Sequence, residues 1–142
     1  MHSDRLRRII ELKERLMEEK ERVLEEHTKL MDYTVSNIKS LDIEINVRYD
    51  DICTRTLNGS EFSSLKDYLE YLGRLKTEAL AQKVLLQGKI AVIRAELYDM
   101  FKEIKMLNTL KKRIFSAARR AQNKKQQKLL DEIALRLEGR KL

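Results

Sequence analysis

The sequence predicts an all-α protein: two long helices forming an antiparallel coiled-coil hairpin, with a C-terminal helical overhang. Three observations carry this. Ala, Glu, Lys, Leu and Arg make up 75 of the 142 residues, the composition of a long-helix protein. Proline is absent and glycine occurs only four times, so the turns that a sheet fold needs are missing. Apolar residues recur every seven positions over most of the chain.

The length suits one domain. With 6% aromatics, no tryptophan and 37% charged residues, a thick core is out of reach, but a narrow helix–helix seam is not. Helix 1 is expected from about residue 4 to 55, with Ser3 as N-cap. Its column is Ile10, Met17, Leu24, Met31, Ile38, Ile45 and Ile52, every member apolar. Ile9, Leu16, Val23 and Leu30 are expected to widen the stripe on one side, and Leu41 later. A strict seven-residue period implies a left-handed supercoil.

A loop is expected at about 56–64, marked by Asn58-Gly59, with Ser64-x-x-Asp67 as a capping box. Helix 2 follows at about 65–137, with the column Leu65, Leu72, Ala79, Leu86, Ile93, Met100, Leu107, Ile114 and Ala121. Gly73 and Gly88 interrupt it, each at about 1 kcal/mol. A short connection makes the helices antiparallel neighbours, pairing Ile45 with Leu72, Ile38 with Ala79 and Ile10 with Leu107. Helix 2 has two column members too many. Its last 25 residues or so should therefore overhang as roughly 40 Å of uncovered helix, giving a rod with a thick and a thin end.

The residues offer no catalytic, metal or cofactor site. His2 and His27 are the only histidines, and Leu24 stands where a Glu-x-x-His metal motif needs its Glu. His27 reads as a seam or seam-edge residue. Phosphate-cradling and dinucleotide glycine motifs are absent. Asp50-Asp51 and Glu18-Glu19 are adjacent carboxylates that point about 100° apart on a helix, so they read as solvated surface. The single cysteine, Cys53, fits a reducing compartment. The longest apolar run is Ile90-Ala91-Val92-Ile93, too short to span a membrane, and the mixed charge after Met1 is unlike a secretory signal.

Charge segregation points to partners. Residues 1–30 mix eight acids with eight bases, whereas Ile104 to Leu130 carries nine bases and no acid. Those nine include Arg113, Arg119, Arg120, Lys124 and Lys125. Like charges this dense repel one another, so an acidic partner is the better reading than a solubilising face. Leu129, Leu130, Ile133 and Leu137 then form an apolar stripe where helix 1 cannot cover it, a docking element or a frayed tail, with docking the better reading. Near the loop, Tyr68, Tyr71 and Leu75 cluster on successive turns; Tyr68 and Leu75 read equally as seam-edge or as recognition residues, and Tyr71 lies further from the seam. Base stacking on nucleic acid would want interleaved aromatics, and the basic stretch offers only Phe115.

Three segments resemble the FliJ family of the flagellar type III export apparatus. They are Arg5-Leu6-Arg7-Arg8-Ile9-Ile10-Glu11-Leu12-Lys13-Glu14, Tyr68-Leu69-Glu70-Tyr71-Leu72-x-x-Leu75, and Gln126-Gln127-Lys128-Leu129-Leu130-Asp131-Glu132-Ile133-Ala134. Gly88 and the basic stretch are not features the family requires. The resemblance implies a non-enzymatic coiled coil similar to the stalk of rotary ATPases, with no cofactor and no small-molecule substrate. The end bearing both termini, with Arg113, Arg119, Arg120, Lys124, Lys125, Leu130 and Ile133, would enter the hexameric export ATPase. The loop end, with Tyr68, Tyr71 and Leu75, would reach the cytoplasmic domain of the export gate. The rod would also escort export chaperones. Such a protein is cytoplasmic and meets the membrane only through its partners. Two alternatives stand beside it: the stalk of a virulence type III injectisome, and a basic coiled-coil arm that binds nucleic acid.

Overall fold

A computed structural model describes residues 2–141. Among these residues there are two helices and no strand: α1 is His2–Thr54 and α2 is Gly59–Lys141. The chain divides into two compact units, Glu19–Leu97 and Met1–Glu18 with Tyr98–Leu142, where one domain is expected.

In the unit Glu19–Leu97 the helices are antiparallel. Lys20 meets Glu96 and Asp42 meets Lys76, so α2 numbers fall as α1 numbers rise. The Asp42–Lys76 pair lies between the expected steps Ile45–Leu72 and Ile38–Ala79. Leu72 and Leu86 are 3% and 4% exposed, and Ala79, Ile90 and Ile93 are buried with them. From α1, Leu24, Met31, Ile38, Ile45 and Ile52 contribute half-buried side chains. A two-helix seam cannot enclose its members on all sides, so partial burial is the rule. In the other unit Leu6 and Ile10 are buried, Met100, Leu107 and Ile114 are half-buried, and Lys13 pairs with Glu103.

The second seam column of α1 corrects the sequence reading. Ile9, Leu16, Val23 and Leu30 do not widen the stripe; all four are exposed. Their place is taken by Leu6, Lys13, Lys20, His27, Thr34, Leu41 and Arg48, a column on the same side but closer to Ile10 and its heptad mates, all buried or half-buried. Lysine stems supply apolar surface while their ammonium groups reach carboxylates at the seam edge, so these polar letters pack like aliphatic ones. Thr34, 2% exposed, donates its hydroxyl to the Leu30 carbonyl at 2.8 Å. His27 Nδ1 lies 2.8 Å from the Val23 carbonyl, so the ring is satisfied inside its own helix at the seam edge.

The connection is shorter than expected, residues 55–58. Asn58 is the N-cap: its Oδ1 accepts from the Glu61 amide at 2.8 Å, and its carbonyl accepts from the Phe62 amide at 3.0 Å. A cap must stand just outside the first turn, so Ser64 and Asp67, already inside α2, form no capping box. Gly59 keeps a negative φ and opens the helix; no turn needs its freedom. Ser3 likewise lies inside α1, which begins at His2. Helix α2 runs unbroken through Gly73 and Gly88.

Candidate partner-binding surfaces

At the loop end, in the unit Glu19–Leu97, Arg48 organises an aromatic cluster. Its Nη2 lies 2.9 Å from Glu44 Oε1 and its Nη1 3.3 Å from Asp51 Oδ2. The hydrogen bond and charge of Glu44, aided by Asp51, hold the guanidinium still more firmly protonated than usual. The same guanidinium sits 5.5 Å from the centre of the Tyr68 ring, and the Tyr68 hydroxyl donates to Glu44 at 3.4 Å. Tyr68 stacks on Tyr71, with centroids 6.3 Å apart and planes 30° from parallel. Both rings are exposed, and Leu75, one turn further along α2, is half-buried. A cleft of about 460 Å³ opens beside them, lined by Arg48, Arg55, Leu57, Leu65 and Tyr68 among others. The structure thus gathers Tyr68, Tyr71 and Leu75 on one side of the loop end.

The role of Arg48 was not read from the sequence. Its signal was present, since Arg48 stands seven residues after Leu41 in the second α1 column and four after Glu44.

In the unit Met1–Glu18 with Tyr98–Leu142, cover runs out after Ile114. Every residue from Phe115 to Arg140 is exposed, so the helix here has no inner face. At 1.5 Å per residue this is about 39 Å of bare helix. Arg113, Arg119, Arg120, Lys124 and Lys125 are exposed, and among the described residues none is in an ion pair. Leu130 and Ile133 are exposed on the same bare segment, with Leu129 and Leu137. Local hydrogen bonding is sparse; Gln127 donates to Asp131 at 3.3 Å.

No described helix is long and apolar enough to cross a membrane. Among the described residues no group of three His, Cys, Asp or Glu side chains is placed to hold a metal. Cys53 is a free, exposed thiol near the end of α1. What the geometry offers is surface for other chains.

The profile of the flagellar FliJ protein family matches residues 1–142, the full length given. The chain belongs to the FliJ family. Membership makes it a component of the flagellar protein export apparatus, and it agrees with the three segments whose resemblance was noted above. No curated relative and no solved structure matches this FliJ-family chain.

Proposed function

We propose that this FliJ-family chain is the non-enzymatic stalk of the flagellar type III export apparatus. On this reading it inserts the bare end of α2 into the hexameric export ATPase. The Tyr68–Tyr71–Leu75 end engages the cytoplasmic domain of the export gate, and export chaperones exchange on the chain. It works in the cytoplasm and reaches the membrane only through its partners.

The observation that carries the reading is the segment 115–140, exposed on all sides, with bases that lack ion-pair partners among the described residues, followed by an apolar stripe. A helix in this state is poorly stabilised by itself, because helices in water draw most of their stability from packing. A ring lumen with acidic walls would supply both a long-range attraction and a short-range adhesive contact.

Truncation after Ile114 tests this. The helix pair should stay folded, because residues 115–140 are all exposed and cover nothing on α1, while stimulation of the export ATPase should be lost. A truncated chain that still stimulates fully would place the ATPase contact elsewhere. Nucleic-acid binding, the reading from another class, would be marked by a steep fall in affinity with salt.

A further inference from the structure

The side of α2 that faces away from α1 in the unit Glu19–Leu97 is unexpectedly apolar. Ala81, Val84, Leu85, Gly88, Val92 and Ala95 fall within an arc of roughly 100°, opposite the buried Leu86 and Ile93. Val84, Leu85 and Val92 are 67%, 65% and 57% exposed. The face holds no charge over four turns, roughly 21 Å of helix. Solvated helix sides ordinarily carry charged residues.

Gly88 sits at its centre. The glycine keeps a negative φ, and a Cβ added there would meet nothing within 4 Å. Neither backbone geometry nor packing within the chain accounts for a residue that weakens a mid-helix position. A neighbouring helix that approaches closely does account for it, because small residues let backbones come together.

Charge identifies the occupant. Between Glu78 and Glu96, α2 carries Lys83, Lys89 and Arg94 and no acid. Among the described residues none of the three is in an ion pair. Lys89 and Arg94 flank the aliphatic face on its two edges. The residues are spaced evenly about Gly88, Ala81 with Ala95 and Val84 with Val92, which would suit a second copy lying antiparallel. In an antiparallel pair each edge meets its own counterpart. Lys89 would then face Lys89 of the copy beside the two-fold axis, and nothing acidic in this stretch would meet Arg94. The edges therefore disfavour self-association and favour a partner rich in carboxylates.

We propose that this face docks an amphipathic helix of another protein, one with a stripe of small and aliphatic residues bordered on both edges by Asp or Glu. This is a third surface, separate from the Tyr68–Tyr71 cluster and from the bare C-terminal segment.

The probe is a synthetic helix of about three heptads, Ala and Leu in its stripe and Glu on both edges. It is titrated by fluorescence anisotropy into the full-length chain, beside an isomer edged with Lys and a scrambled peptide of the same composition as the Glu form. The Glu-edged helix should bind, and both controls should bind at least about tenfold more weakly. Val84→Asp with Val92→Asp should weaken binding by at least about tenfold with the fold intact. Gly88→Leu should do the same while raising the melting temperature, since leucine favours the helix but blocks close approach. Lys89→Glu with Arg94→Glu should reverse the preference toward the Lys-edged isomer. Absent binding at about 1 mM, equal binding of Glu-edged and scrambled peptides, or full binding by Gly88→Leu would overturn the proposal. So would a dimer in sedimentation equilibrium that Val84→Asp with Val92→Asp dissolves, which would assign the face to a second copy.

Discussion

Val92 and Ile93 are neighbours in sequence and opposites in the structure, so the same substitution at each tests the seam directly. Ile93 is buried against α1, whereas Val92 points to solvent. Ile93→Asp removes a large aliphatic side chain from a seam only two helices thick, at a cost near the low end of core truncations, about 2 kcal/mol. It also leaves a carboxylate half-desolvated without a partner, for a further 1–3 kcal/mol or so. The total is about 3–5 kcal/mol, a large share of the stability of a chain this size. Val92→Asp acts at a residue that is 57% exposed and changes helix propensity by only a few tenths of a kcal/mol. Urea unfolding followed by circular dichroism at the helix band measures both. The midpoint should fall sharply for Ile93→Asp and move little for Val92→Asp, with similar slopes. Comparable losses at the two positions would refute the register, and with it the claim that Leu72, Leu86 and Ile93 share one buried face.

Four further outcomes are expected. Asn58→Ala should cost about 1 kcal/mol as a lost N-cap, whereas Ser64→Ala, inside α2 and exposed, should cost almost nothing in the same unfolding assay. Lys20→Met keeps the stem in the seam and should change stability by less than about 1 kcal/mol, but Lys20→Asp, facing Glu96, should lower the melting temperature clearly. Tyr71→Ala with Leu75→Ala should weaken binding to the gate domain in a titration while ATPase stimulation stays intact; unchanged gate affinity would remove that assignment. In stopped-flow binding to the ATPase, Arg119→Glu with Arg120→Glu should slow association and flatten its salt dependence, and Leu130→Ser with Ile133→Ser should speed dissociation.

The composition and the seven-residue period sufficed for the helix pair and its main column, and the short connection for its antiparallel direction and register. They also sufficed for the uncovered C-terminal segment, since α2 has more column members than α1 can meet. The grouping of Tyr68, Tyr71 and Leu75 was legible for the same reason: residues three and four apart share a helix face. Local hydrogen bonding decided the connection. Asn58-Gly59 reads as a turn by dipeptide chemistry, but a cap on α2 satisfies a free amide with the same asparagine and leaves the glycine unneeded.

Only tertiary structure decided which second column of α1 closes the seam. Hydropathy favours Ile9, Leu16, Val23 and Leu30, yet these are exposed while Lys13, Lys20, His27 and Arg48 flank the core. A hydropathy scale assigns one value to a whole residue, whereas a lysine or arginine is aliphatic along its stem and charged at its tip. Which part counts depends on whether a carboxylate of the other helix stands at the seam edge, as Glu96 does for Lys20. That is a fact about two chain segments more than seventy residues apart, and no window of sequence contains it.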